Sequence, residues 1–198
     1  MQRFLHNRAL QLAFCLGLLC IGLQAVGLDQ ALRFDREALQ TGNWWLILTG
    51  NFVHLNWGHL LLNMTGLLLI VTLVWYNYAA WEWTVIILFS SIGVGAGLFF
   101  RDPDVFWYVG FSGTLHGLIM AGAIADLKRY PWNASLLLIV VIIKLGWEQI
   151  YGAVPGSEAA AGGAVIVNSH LYGAIGGVLI AIPLLLRKLK EGSPPARG

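Results

Sequence analysis

Residues 46–81, LILTGNFVHLNWGHLLLNMTGLLLIVTLVWYNYAAW, contain no Asp, Glu, Lys or Arg. Crossing the hydrocarbon layer of a bilayer takes about 20 mostly apolar residues, and this stretch holds more than enough. The remainder of the chain agrees. Of its 198 residues, 58% are hydrophobic and only 11% charged, with a mean hydropathy of +0.70. A soluble domain carries about 25% charged residues, so this chain lacks the means to coat a water-facing surface. A soluble enzyme, a secreted disulfide scaffold and a disordered chain are thereby excluded. Nine Trp and six Tyr suit the two membrane interfaces. A net charge of +2 without a long basic run gives no footprint for nucleic acid. Cys15 and Cys20 both lie in an apolar stretch and read as packing or lipid-facing residues, not as a disulfide or metal site.

Splitting the chain at its charges and turn residues predicts an all-α, polytopic membrane domain over 1–198 with six transmembrane helices. The expected spans are 9–28, 57–76, 83–100, 109–125, 131–150 and 167–186. The first follows Arg3 and Arg8 as a signal peptide would, but lacks a clear small-x-small cleavage site and reads as a retained helix. With the N-terminus inside, Arg3, Arg8, Lys128, Arg129, Arg187, Lys188, Lys190 and Arg197 face the cytoplasm, against Arg33, Arg36 and Arg101 outside. That asymmetry predicts cytoplasmic termini, with 187–198 as a short tail whose end, 191–198, is disordered. Lys144 falls within the fifth span, four residues before Glu148, so the two can pair on one helix face.

Two connecting segments carry expectations of their own. Asp29 is placed to cap a short interfacial helix through Ala31, Leu32, Phe34, Ala38 and Leu39, ending near Gly42 and followed by Trp44-Trp45. The loop Gly152–Gly163, rich in Gly and Ala, fits a mobile lid and a plain connector equally well.

Polar residues inside apolar spans are costly and mark function by default. Here they are His54, His59 and Asn63 at span two, Ser112 and His116 at span four, and His170 at span six. All lie in the early part of spans that enter from the same face, as one outward-opening polar pocket requires. Singly, each has a plainer reading. Gly110-Phe-Ser112-Gly113 alone describes a serine bonding back to its helix and glycines aiding packing, and a lone His170 can bond a neighbouring helix. Gly173 and Gly177 alone are a packing face. Together they say more. At about 100° per residue, His170 and Gly177 lie within about 20° of each other, with Gly173 some 60° away. Gly113 and Gly117 give span four a matching face, so a close crossing of the two spans brings Ser112 to His170.

A serine hydroxyl becomes nucleophilic when a neighbouring imidazole takes its proton, and acyl transfer also needs donors for the developing oxyanion. His59 and Asn63, four residues apart, can supply side-chain N–H groups, and the Ser112 amide at a helix N-terminus another. Spans two, four and six hold no Asp or Glu to orient the imidazole, so the expected arrangement is a Ser112–His170 dyad.

These residues resemble the rhomboid family of intramembrane serine proteases over nearly the whole chain. His54-x4-His59-x3-Asn63 is similar to the family's second-helix motif and Gly110-x-Ser112-Gly113 to its nucleophile motif. Ser169-His170-x-x-Gly173-x-x-x-Gly177 resembles its AHxxGxxxG motif, with Ser in place of Ala. The resemblance implies a six-helix core, a catalytic Ser112–His170 dyad, an oxyanion hole from His59, Asn63 and the Ser112 amide, and a structural or water-retaining His54. It implies no metal and no organic cofactor. Two positions depart from the pattern. Many rhomboids carry Trp-Arg where this chain has Trp45-Leu46, and many have a Tyr stacked on the catalytic His where this chain has His116. An imidazole can stack in the same way, or act itself as base, although from the same helix it reaches the Ser112 hydroxyl poorly.

The compact size, Trp44-Trp45, the stretch Thr49-Gly-Asn-Phe-Val-His-Leu-Asn-Trp57 and the Ser112-Gly-Thr-Leu-His-Gly117 core look most like the bacterial rhombosortase subgroup. That implies a multi-pass protein of the bacterial inner membrane, its site opening to the periplasmic side. Its partners would be lipid and membrane-anchored substrates, cut near a C-terminal Gly-Gly-plus-helix tail. Two readings compete: an inactive rhomboid relative that binds membrane segments, and a transporter with a histidine relay. A transporter predicts polar residues spread across the membrane depth, and an inactive relative usually lacks the Ser or the His. His-Glu-x-x-His and Gly-x-Gly-Asp motifs are absent from the sequence.

Overall fold

A computed structural model describes residues 7–191. The parts of the expected tail beyond Glu191, and Arg3 and Arg197 of the orientation count, lie outside the described residues. The chain runs α1 (Arg8–Ala25), α2 (Asp29–Leu32), β1 (Phe34–Asp35), α3 (Arg36–Gln40), α4 (Leu46–Thr49), α5 (Trp57–Leu73), α6 (Ala80–Arg101), β2 (Trp107–Tyr108), α7 (Ser112–Asp126), α8 (Pro131–Tyr151), α9 (Ser157–Ala161) and α10 (Val167–Lys190). This is a helical, multi-pass membrane protein.

Local chemistry sets the helix starts. Asn7 caps α1 by accepting from the Leu10 amide, and Asn56 caps α5 by accepting from that of His59. Pro131 opens α8, where its missing N–H costs nothing, and Arg187, Lys188 and Lys190 close α10 against its negative end. Helices α1, α6, α8 and α10 are long and apolar enough to cross a membrane. Helices α5 and α7, with 17 and 15 residues, are shorter. At about 1.5 Å per residue α7 extends only about 22 Å, short of the roughly 30 Å hydrocarbon layer. The expected fourth span began at residue 109, but there the backbone is irregular: the Gly110 amide donates to the Gly50 carbonyl, and the Tyr108 hydroxyl to the Gly110 carbonyl. Protein groups thus satisfy what a helix would otherwise satisfy.

Helix α7, buried along most of its length, lies at the centre, with α10 and α6 packed closely against it and against each other. Glycines set how close these helices come. A Cβ on Gly173 would collide with the carbonyl oxygen of Gly113, one on Gly177 with the backbone of Gly117, and one on Gly93 would stand 2.8 Å from the Tyr172 carbonyl oxygen. The outward surfaces carry exposed Leu61, Leu68, Ile139, Ile143 and Leu179, as lipid contact requires. At the end opposite the site, buried Glu82 accepts from the Ala79 amide and pairs with Lys188 at 2.8 Å.

The segment after α1 differs from expectation. One helix capped by Asp29 was anticipated. Instead α2 and α3 are separate, and the cap is Asp35, which accepts from the Ala38 amide. Between them Phe34–Asp35 pairs antiparallel with Trp107–Tyr108. The break lets both Phe34 and Leu39 enter an apolar cluster with Leu46, Val94, Leu98 and Tyr108. It also turns Arg36 inward. Its guanidinium donates to the carbonyls of Leu98 (2.6 Å), Asp102 (2.8 Å), Phe99 (2.9 Å) and Val105 (3.0 Å), tying this loop to the end of α6. Leu46, where many rhomboids have arginine, is buried in the same cluster.

Candidate active site

Ser112 is the first residue of α7, so its own N–H lacks a carbonyl one turn earlier in that helix. The turn into it passes through Gly110 at φ +128°, a conformation that side chains rarely tolerate. A Cβ there would also stand 2.7 Å from Cε1 of His59, so the imidazole lies directly against the backbone that delivers the serine. A buried network steadies the same turn: the Thr114 hydroxyl donates to Asn51 Oδ1 (3.2 Å) and lies 2.9 Å from Ser91 Oγ, while Asn51 Nδ2 donates to carbonyls of Ile47, Leu48 and Ser91. The sequence reading did not single out these three residues. Their only signal was three small polar residues in apolar surroundings.

His170 sits in the first turn of α10, and the close crossing of Gly113 with Gly173 and Gly117 with Gly177 brings it to Ser112. Its Nε2 lies 3.0 Å from Ser112 Oγ. On the far side of the ring, Nδ1 lies 2.9 Å and 3.0 Å from the two carboxylate oxygens of Glu148, which α8 contributes and which is 3% exposed. The expectation that the imidazole would have no acidic partner is therefore corrected. Spans two, four and six supply none, but α8, the expected fifth span, brings Glu148 behind His170. Lys144, one turn earlier on α8, donates to Glu148 Oε1 at 2.7 Å, so the anticipated pair forms and includes the histidine. Its Nζ is 3.3 Å from His170 Nδ1.

The His116 ring stacks on His170, with centroids 4.3 Å apart and planes inclined by 23°. Its Nδ1 is 2.7 Å from the Ser112 carbonyl oxygen, which only accepts, so Nδ1 carries the hydrogen. His116 thus engages the serine's backbone and not its hydroxyl. His116, Glu148 and His170 bring ligand-type atoms within 4.8 Å of one another. Converging lone pairs are nonetheless not available, since the two rings lie nearly parallel and the Lys144 ammonium already neutralises the carboxylate.

On α5, His59 and Asn63 share a face, and Asn63 Nδ2 donates to the His59 carbonyl at 3.0 Å. The fully buried His54 meets the His59 ring edge-on, with centroids 5.2 Å apart. Ser112, His116, His170, His59, Asn63 and Lys144 all line one cavity of about 860 Å³. Its walls also take in apolar residues of α5 and α8, among them Leu62, Leu69, Leu137 and Val140. Val154, Ser157 and Ala161 of the 152–163 loop also line it, and the loop is neither featureless nor detached: it forms α9, Ala161 is buried, and the Ala161 carbonyl accepts from Asn56 Nδ2 at 3.1 Å.

Residues 41–187 match the rhomboid domain. The chain is 30% identical over 164 residues to rhomboid-like protein 11, chloroplastic, of Arabidopsis thaliana, an alignment covering 76% of this chain and 55% of that protein. It is also 26% identical over 157 residues to uncharacterised proteins of Mycobacterium tuberculosis and Mycobacterium bovis, covering 72% of this chain and 60% of theirs. The chain therefore spans between half and two thirds of the length of these curated relatives. With the domain match extending over most of its helices, and with glycine-mediated crossings and a polar cavity at their end, this chain belongs to the rhomboid family.

Proposed function

We propose that this protein is an intramembrane serine endopeptidase that cuts a peptide bond near the outer end of a substrate's transmembrane segment. The observation that carries this reading is the 3.0 Å approach of His170 Nε2 to Ser112 Oγ at the wall of a cavity with both polar and apolar lining. Ser112 Oγ attacks the scissile carbonyl carbon while its proton passes to His170 Nε2. The C–N bond then breaks, and His170 returns the proton to the departing amine. Water, deprotonated by the same imidazole, hydrolyses the acyl ester and frees Ser112. The Ser112 amide, the second hydrogen on Asn63 Nδ2 and the His59 ring supply donors for the oxyanion. Gly110 lets His59 sit against the serine turn, and His54 buttresses His59 from behind. Gly113, Gly173 and Gly177 hold the two reacting helices together, and His116 keeps the His170 ring from tilting.

Backbone inside a helix is already hydrogen-bonded, so substrates carry Gly or other helix-weakening residues near the cut. The rhombosortase-like stretches at Thr49–Trp57 and Ser112–Gly117 favour exported proteins with a C-terminal Gly-Gly-plus-helix tail as substrates. The Lys and Arg asymmetry supports cytoplasmic termini with the site opening to the opposite face, and the rhombosortase resemblance supports a bacterial inner membrane and hence a periplasmic-facing site.

The test is labelling of detergent-solubilised protein by a fluorescent fluorophosphonate. Wild type labels, and Ser112→Ala and His170→Ala do not. An unlabelled wild type that is folded and monodisperse would sink the protease reading and turn attention to a binder of membrane segments. A reporter ending in Gly-Gly and an apolar helix, against one with Leu-Leu in its place, tests the substrate class.

A further inference from the structure

Resting on the protease reading above, we infer that Glu148 and Lys144 are positioning residues that set the tautomer of His170. A neutral imidazole has one N–H and one lone pair, and only the ring with hydrogen on Nδ1 offers its lone pair to Ser112 Oγ. Two neighbours compete for Nδ1. The Glu148 carboxylate accepts a hydrogen from it, with oxygens at 2.9 Å and 3.0 Å. The Lys144 ammonium, at 3.3 Å, would need a bare Nδ1 and hence the opposite tautomer, which points N–H at the serine.

The geometry decides between them. One of the three Lys144 N–H groups makes a short bond, 2.7 Å, to Glu148 Oε1, and Nζ stands farther from Nδ1 than either carboxylate oxygen does. Both carboxylate oxygens face Nδ1, and an anionic acceptor binds N–H more strongly than a neutral one. Glu148 is buried with 2% of its side chain exposed, while Lys144 is 34% exposed and reaches the cavity. A buried carboxylate without a countercharge is costly, and Lys144 supplies that charge from the same helix one turn away. When His170 takes the serine proton, the ring becomes cationic and the Glu148 anion stabilises it, with no proton moving to the carboxylate. A surface i,i+4 pair would explain the Lys144–Glu148 contact, but it would not explain why both oxygens of Glu148 turn inward onto His170.

The experiment combines kinetics on the Gly-Gly-plus-helix reporter with ring nitrogen NMR on this chain in detergent. Glu148→Gln keeps size and an acceptor but loses the charge. It should lower kcat roughly 10²-fold or more with KM little changed. Glu148→Asp should restore part of that loss. Lys144→Met should also lower kcat, and the Glu148→Gln, Lys144→Met double variant should be no slower than Glu148→Gln alone, because the two residues act as a unit. Histidine-selective 15N spectra should show hydrogen on Nδ1 of His170 in the wild type and its loss in Glu148→Gln. A Glu148→Gln protein with wild-type kcat, or a wild-type His170 with hydrogen on Nε2, overturns the inference. A wild type with hydrogen on Nδ1 but no fluorophosphonate labelling would support the orienting pair while counting against the protease reading. The wild-type ring spectrum alone can overturn the inference, so poor folding of one variant does not remove the test.

Discussion

The carbonyl oxygen of Gly113 on α7 occupies the place where a side chain on Gly173 of α10 would begin. No rotation of a neighbouring side chain relieves that contact, because the obstacle is backbone. The crossing of the two helices, and with it the 3.0 Å Ser112–His170 approach, depends on the missing Cβ.

Replacing Gly173 with Ala should therefore separate α7 from α10. Helix propensity favours Ala by about 1 kcal/mol, whereas overpacking a well-fitted contact costs about 1–3 kcal/mol, and a backbone obstacle puts this site at the upper end. The expected outcome is a lower melting temperature together with lost fluorophosphonate labelling. Gly146→Ala, where a Cβ meets nothing, is the control and should retain both.

His116 faces His170 as a flat surface 4.3 Å away. An aromatic pair of this kind contributes about 0.5–1.5 kcal/mol, so His116→Ala should slow labelling roughly 2- to 10-fold without abolishing it. His116→Tyr, which keeps a ring there, should lose less. Complete loss in a folded His116→Ala protein would instead make this imidazole the base.

Arg36 gathers four carbonyls around one guanidinium at the end of α6. Truncation to Ala leaves these acceptors without their donor and should destabilise the protein by roughly 3 kcal/mol. A Lys ammonium has three donors on a point charge and cannot reproduce the fork, so Arg36→Lys should rescue little. Thermal unfolding in detergent reads both.

Asn56 does two jobs with one amide: its oxygen caps α5 and its nitrogen holds the Ala161 carbonyl. Asn56→Asp keeps the cap but loses the donor. It should leave thermal stability close to wild type and raise hydrogen exchange and proteolytic nicking within 153–163. Asn56→Ala should do the same and also lose the cap's contribution of about 1 kcal/mol. Unchanged exchange in Asn56→Asp would show that other contacts hold this loop.

Much of this protein was legible one residue at a time. Composition and the uncharged run 46–81 determine a membrane solvent, because hydropathy is a sum over residues that needs no partner. The helices from Trp57, Pro131 and Val167 follow from where charges and turn residues interrupt the apolar runs. His54, His59, Asn63, Ser112 and His170 stand out because polar groups in apolar helices are expensive wherever those helices go, and the glycines at 113, 117, 173 and 177 already mark which faces must meet.

What the sequence left open concerns partners chosen across space. Lys144 and Glu148 read as an i,i+4 pair on their own helix; that the carboxylate reaches His170 depends on how α8 is rotated and how it crosses α10, which no local pattern encodes. Asp29 and Asp35 are both adequate caps, and the choice fell to Asp35 because Phe34 and Leu39 both gain burial when the chain breaks between them. Arg36 counted only as an outer positive charge until four carbonyls from residues 98–105 were folded around it. Hydropathy and capping are short-range and are written in the chain, whereas the azimuth of a packed helix is settled by the sum of its contacts with every neighbour.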